Sequence, residues 1–223
     1  MNLAKSFEFF DPEKCKDRIH IIGCGSVGST VAELLARFGL TNFSLYDFDT
    51  VEEHNLVNQM FILEDVGHAK TEATLKHLSD INPEIAKAAK IYPDGYTGQK
   101  LSGYVFLCVD NIELRRKIVE GNKYNANIKA MFDFRTALTS GQHYAADWKD
   151  PAHVKALLET MDFSHEEAEK NVPVSACKVS LCVAPTVRLV SMVGVTNFVN
   201  FVKEGKLETA ILTDPFSFMI MVI

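Results

Sequence analysis

The chain has 223 residues, a formal net charge of −6, 47% hydrophobic residues and 5 cysteines. That length suits one large α/β domain or two small ones, with enough apolar content for a sizeable core. The acidic balance and the lack of a basic cluster exclude non-specific nucleic-acid binding. The odd, scattered cysteines argue against a disulfide framework and suit a reducing cytoplasm.

The N-terminal stretch Met1–Lys14 carries acidic residues and no apolar signal core. An apolar run then predicts a strand over Arg18–Ile22, leading into Gly23-Cys24-Gly25-Ser26-Val27-Gly28 and a helix over Ser26–Phe38. A second strand, Asn42–Asp47, ends in Asp47-Phe48-Asp49. Strand, glycine turn, helix, strand and carboxylate form the first half of a nucleotide-binding βαβ unit. Gly23 suits the tight turn, Gly25 allows backbone to approach a phosphate, and Gly28 permits close helix–strand packing. The helix N-terminus offers free N–H groups and partial positive charge to an anion. Asp47 stands 19 residues after Gly28, where a ribose-binding carboxylate belongs.

Further along, a helix is expected over Lys70–Asp80, a strand over Ile85–Ile91, and a strand over Tyr104–Val109 that ends in Asp110. A helix over Ile112–Asn125 and strands over Ala130–Phe134 and Gln142–Ala146 follow. Alternating β and α segments predict an α/β fold: a Rossmann-like, mostly parallel sheet with flanking helices, its later strands partly antiparallel. Residues 147–172 are charged and helical in character, with capping signals at Asp150-Pro151 and at Ser164 and Glu167. They read as a helical insertion that covers the site or contacts the protein substrate, or else as a surface helix pair without a ligand role. The apolar stretch Val183–Val202 contains Pro185, Arg188, Asn197 and Asn200, which suits a buried helix over Pro185–Lys203 and not a membrane span. The tail Phe216–Ile223 has no charged side chain and is expected to be buried, as an edge strand or in a dimer interface.

The elements Gly23-x-Gly25-x-x-Gly28, Asp47-x-Asp49-x-Val51, Asn55-Leu56, Gln59, Lys70 and Cys108-Val109-Asp110-Asn111 occur in the order and spacing of a known family. The chain resembles the ThiF/MoeB family, adenylating enzymes related to the activating enzymes of ubiquitin-like proteins. The resemblance covers about residues 18–145 and resumes near Cys177–Lys203. It implies an adenylation domain, an ATP-dependent adenylyltransferase and a homodimer, while composition suits a single domain over residues 1–223 in the cytoplasm, and charge and hydropathy predict no nucleic-acid or membrane partner. In this family the C-terminal carboxylate of a small ubiquitin-like or sulfur-carrier protein, ending in Gly-Gly, attacks the α-phosphate of ATP. Pyrophosphate leaves and an acyl-adenylate forms.

The resemblance also implies residue roles. Asp47 binds the ribose hydroxyls, Asn55, Asn58 and Gln59 lie along the phosphates, Lys70 stabilises transferring charge, and Asp110 holds Mg²⁺. Each has a plainer alternative. Asp49 reads more readily as a loop cap than as a ligand contact, Asn55 as a turn residue, Lys70 as a solvated helix residue, and Asp110 with Asn111 as a helix N-cap. The family usually has arginine where this chain has Asn58. Arg135 either supplies the missing charge or pairs with Asp133 or another carboxylate. The family also often takes an arginine from the partner's N-terminal segment, where Met1–Asp17 has only Lys5, Lys14 and Lys16 as cations. No two Cys-x-x-Cys pairs exist, so the family's structural zinc is not expected. Some relatives pass the acyl group to a cysteine, and Cys177 is the best candidate. Two further readings stand beside the enzyme: a nucleotide- and partner-binding member with reduced or no catalysis, and an NAD-dependent oxidoreductase resting only on Gly23–Gly28 and Asp47.

Overall fold

The apolar run Ile19–Ile22 forms β1, and all four of its residues are buried. The same holds for β2 (Phe43–Tyr46) and β4 (Gly103–Leu107). Strands covered on both faces need no polar alternation, which is why these segments read as continuous apolar runs. The structure, a computed structural model, describes residues 1–163 and 181–223. Its sheet has eight strands in the order β3 (Lys90–Tyr92), β2, β1, β4, β5 (Ile128–Thr136), β6 (Gly141–Asp147), β7 (Ala210–Asp214), β8 (Met219–Val222). Pairings from β3 to β5 are parallel, and those from β5 to β8 antiparallel. This is the expected α/β plan with antiparallel later strands.

The helices are α1 (Ser26–Arg37), α2 (Lys70–Ile81), α3 (Glu84–Ala88), α4 (Ile112–Asn122), α5 (Pro151–Glu159) and α6 (Ala184–Glu204). They pack on the sheet through two cores. On β4, Tyr104 and Phe106 enter the core shared with α1 and α6, while Val105 and Leu107 enter the core shared with α4 and α5. The period of two in a strand sends neighbours to opposite faces. In the first core Phe198 of α6 meets Phe106 and Phe132 edge-on, with centroids 5.4 and 5.6 Å away. Truncating Phe198 to alanine costs about 3–5 kcal/mol at such a site.

Among the polar residues of α6, the buried Asn197 is hydrogen-bonded through both ends of its amide. Asn197 donates to the Glu208 carbonyl at 2.8 Å and accepts from the Glu208 N–H at 2.9 Å. Gly194 lets the helix approach β5, since a Cβ there would lie 2.1 Å from a ring carbon of Phe134. Pro185 sits in the first turn, and Gly205 ends the helix in the left-handed conformation at φ 71°. Among the described residues, no helix is long and apolar enough to cross a membrane.

Three expectations need correction. The strand expected over Ile85–Ile91 is the short helix α3 followed by β3. Asn82 accepts the Glu84 N–H at 3.3 Å, and the run Ala86-Lys87-Ala88 consists of good helix formers, so the turn wins. The helix expected to reach Asn125 ends at Asn122; Asn125 instead donates to the Leu101 carbonyl at 3.0 Å. The tail does form the edge strand β8, but that edge does not bury it within the single chain: Met219 to Ile223 are 39–67% exposed. In residues 147–172, α5 starts as its signal predicts, with Asp150 accepting the Ala152 N–H at 2.8 Å and Pro151 in the first turn. The second signal, Ser164 with Glu167, lies outside the described residues.

Candidate functional site

The chain leaves β1 for β2 on one side and returns through β3 to β4 on the other. The strand order therefore reverses beside β1, and in open α/β sheets ligands bind at the carboxyl ends of strands flanking such a point. Gly23 follows β1, Asp47 follows β2 and Asp110 lies beyond β4. The topology brings these three sequence-distant segments to one edge.

The glycine turn is sterically determined. Gly23 has φ +95°, and a Cβ there would sit 2.8 Å from backbone atoms of Cys108 and Val109. A Cβ on Gly28 would lie 1.7 Å from the Gly23 carbonyl oxygen. Gly25 differs: a Cβ would meet nothing within 4 Å, so open space faces the turn. Gly25 is also the N-cap of α1, and no side chain caps the helix. The first N–H groups of α1 thus present an uncapped positive end beside open space. This arrangement fits an anion such as a nucleotide phosphate.

Asp47 is half-buried. Its Oδ2 accepts the Cys24 N–H at 2.6 Å and its Oδ1 accepts the Asp49 N–H at 2.9 Å. Burial raises its pKa above the ordinary carboxylate value, while the two N–H donors and Lys70 oppose that rise. A carboxylate offers about four acceptor positions, so each oxygen keeps one for a hydroxyl. Lys70 opens α2. It is buried, and its Nζ lies 2.7 Å from Asp49 Oδ2. The Asp49 side chain therefore pairs with Lys70 instead of capping the loop.

Asn55 is buried and takes the local role its turn reading allows: its Oδ1 accepts the Glu52 N–H at 2.9 Å. Asn58 donates to the Cys182 carbonyl at 2.9 Å, joining its loop to the start of α6. Gln59 has a buried Oε1 with no hydrogen-bond partner among the described residues. Asp110 is exposed and has no ion-pair or hydrogen-bond partner among the described residues. The cap on α4 belongs to Asn111, whose Oδ1 accepts the Leu114 N–H at 2.8 Å. The capping alternative for Asp110 is thus taken by its neighbour, and its carboxylate is left open.

Arg135 is engaged in the way its alternative reading anticipates. Its Nε donates to Asp133 at 2.7 Å, and its two terminal nitrogens donate to the Thr160 carbonyl and hydroxyl at 2.7 and 2.8 Å. It is part of the join between β5 and α5. Cys177 lies outside the described residues. Burial raises the thiol pKa of Cys15, Cys24, Cys108 and Cys182, to about 12 for Cys15, which disfavours the nucleophilic thiolate at each. Among the described residues no group of three or more His, Cys, Asp or Glu side chains is placed to hold a metal. A cavity of about 270 Å³ between α1 and α2, lined by Ser29, Glu33, Met60 and His77, contains none of the predicted site residues.

Sequence reasoning missed Arg115. It is buried on α4 and pairs with Asp133. It also donates to the carbonyls of Leu107, Val109 and Phe134, at 3.2 Å for Leu107 and 2.7 Å for Phe134. These bonds hold the chain after β4, from which Asp110 projects. The signal was Asp133 itself, a carboxylate inside the apolar run Ala130–Phe134, which burial obliges to find a cation.

The parallel half-sheet, the glycine turn and the carboxylate after β2 define an α/β domain on a Rossmann-like plan. The ThiF family model matches residues 13–219, and the chain belongs to that family. It is similar to the ubiquitin-like modifier-activating enzyme 5 of Oryza sativa subsp. japonica, with 45% identity over 74 residues, covering 33% of this chain and 18% of the relative. The enzyme of that name from Drosophila persimilis is 30% identical over 135 residues, covering 53% of this chain and 34% of the relative. The chain thus spans about a third or less of the length of these curated relatives. Among solved structures, Escherichia coli MccB with ATP superposes with a TM-score of 0.67 at 19% identity, covering 95% of this chain and 64% of the other. PaaA superposes with a TM-score of 0.70 at 15% identity, covering 94% and 64%. These two likenesses concern the fold.

Proposed function

We propose that the protein is an ATP-dependent adenylyltransferase that activates the C-terminal carboxylate of a small ubiquitin-like or sulfur-carrier protein. The observation that carries this reading is the convergence, at one sheet edge, of the uncapped α1 N-terminus, Asp47, the buried Lys70 and the unpartnered Asp110. Family membership supports it, as do the relatives, which are ubiquitin-like modifier-activating enzymes, and the MccB structures with ATP or with AMPCPP and MccA.

In the proposed reaction a carboxylate oxygen of the carrier attacks the α-phosphorus. The new O–P bond forms as the bond to the β-phosphate oxygen breaks, and the electron pair leaves with pyrophosphate. Asp47 holds the ribose, and the α1 N-terminus and Lys70 face the phosphates. Preorganised charge of this kind, with positioning, carries most of the catalysis in phosphoryl-transfer sites. Asp110 is the residue that would hold Mg²⁺, and the ion would supply charge neutralisation for the phosphates; one protein carboxylate would be enough, because Mg²⁺ keeps several waters. Asn55 and Asn58 act mainly through the loop they hold, and Gln59 offers its free Oε1. Pairing of two copies, implied by family resemblance, belongs to the same proposal and would cover the apolar β8 edge. For the step after adenylation, the Cys177 thiolate is the proposed acceptor: its sulfur attacks the acyl carbon, the thioester C–S bond forms as the acyl C–O bond breaks, and AMP leaves with the electron pair.

A second reading, nucleotide and partner binding without turnover, is favoured by the neutral Asn58 and by the engagement of Arg135 with Asp133 and Thr160. ATP–pyrophosphate exchange, with and without Gly-Gly-terminated carrier proteins, separates the two. Carrier-dependent exchange supports the enzyme. ATP binding with no exchange across a full set of carriers supports the second reading, and NAD binding in place of ATP overturns both.

A further inference from the structure

One cation beside the proposed phosphate site has no role in the reaction as written. Arg188 lies near the start of α6, and its Nη1 donates to Thr30 Oγ1 on α1. The Thr30 hydroxyl in turn donates at 2.8 Å to the carbonyl of Ser26, the first residue of α1. The guanidinium is therefore held about one helical turn, roughly 5.4 Å along the axis, from the uncapped N-terminus of α1. Two other bonds draw the same elements together. Met60 N–H donates to Ser29 Oγ at 3.2 Å, and Asn58 donates to the Cys182 carbonyl at 2.9 Å.

A cation at the positive end of a helix is electrostatically disfavoured unless an anion lies between them. Among the described residues the partner of Arg188 is a neutral hydroxyl, and no carboxylate is within ion-pair distance. A guanidinium has five N–H donors in a planar fork that matches phosphate oxygens. Its side in the fold also matters. Asp47 marks the ribose end, beyond β2, whereas α6 packs over β5, β6 and β7 on the other side of the glycine turn. A nucleotide with its ribose on Asp47 and its phosphates over the glycine turn would extend from β2 toward α6.

We propose that Arg188 binds the β- and γ-phosphates of ATP and the departing pyrophosphate, supplying the positive charge that the neutral Asn58 does not. This rests on the adenylyltransferase reading of the site.

The test is a set of binding titrations with ATP, pyrophosphate and AMP. Arg188→Gln is expected to weaken ATP and pyrophosphate binding roughly tenfold or more, the scale of a lost hydrogen bond to a charged group, while AMP affinity stays the same. Arg188→Lys keeps the charge and is expected to retain most of the preference for ATP over AMP. Equal losses for ATP and AMP, or none, overturn the role of Arg188 and leave the nucleotide site standing. Failure of the wild-type protein to bind ATP overturns both. On the unsubstituted protein, phenylglyoxal labelling mapped by mass spectrometry reads the same contact without a variant. ATP should protect Arg188 and AMP should not; equal protection by the two sinks the proposal.

Discussion

Lys70 Nζ lies 2.7 Å from Asp49 Oδ2, with the lysine side chain 9% exposed and the aspartate 50% exposed. The pair joins the loop after β2 to the first turn of α2, and the Lys70 N–H also donates to the Asp49 carbonyl at 2.9 Å. A buried ammonium at the positive end of a helix needs a compensating charge. Asp49 provides it, and a polyphosphate at the same edge would share it. Lys70→Ala is expected to lower carrier-dependent pyrophosphate exchange by about 10²-fold, the scale of one lost preorganised electrostatic contact. A rate within threefold or so of wild type would remove Lys70 from the proposed chemistry.

Asp110 offers a cleaner separation of function from stability. It is exposed, and Asn111 holds the helix cap beside it. Asp110→Ala should therefore change stability by less than about 0.5 kcal/mol, as surface substitutions usually do. The same change should abolish Mg²⁺-dependent exchange. Retained exchange with an unchanged melting temperature would rule out the metal role.

Asp133 makes the opposite prediction. It is fully buried and neutralises Arg115, which also ties three backbone carbonyls. Asp133→Asn leaves a buried guanidinium without its counter-charge and is expected to cost about 3–5 kcal/mol. Urea denaturation would show the midpoint falling at constant slope. A shift under about 1 kcal/mol would contradict the role of Asp133 as the buried counter-charge of Arg115 and Arg135.

His143 makes stability depend on pH. Its Nδ1 lies 3.1 Å from the Asp133 carbonyl and must donate, so Nε2 accepts from Asn197 Nδ2 at 3.1 Å. Protonating Nε2 would set two donors against each other. Burial pushes the imidazole down to about 4, below the ordinary value near 6.5. His20 is likewise held neutral and pushed by burial to about 4, with Ser102 N–H donating to its Nε2 at 3.3 Å. A depressed folded pKa means that the unfolded chain binds the extra proton first. The stabilisation is complete above about pH 6.5 and is lost as pH falls toward 4. Ring NMR signals of His143 should show it neutral at pH 5.5, with stability already declining there; a ring that titrates near 6.5 contradicts this account.

Much of the fold was legible because local chemistry dictated it. Gly23 and Gly28 stand where any Cβ would strike backbone, and the runs Ile19–Ile22 and Phe43–Tyr46, mostly apolar, are buried on both faces. The segment after Pro83 was misread because Ile85 and Ile91 suggested a strand, while the alanines and lysine between them favour a helical turn. The tail was read as buried because it is apolar, yet strand pairing with β7 satisfies its backbone without covering its side chains.

By itself the sequence determined the glycine turn, the order of the βαβ half and the residues carried on it, since these depend on sterics and periodicity over a few residues. Only the tertiary structure decided which partners the charged groups meet. Arg115 reaches Asp133 across 18 positions, Lys70 reaches Asp49 across 21, and Arg188 reaches Thr30 across 158. Electrostatic partnership depends on distance in space and on exclusion of water, and neither is written in the spacing of residues along the chain.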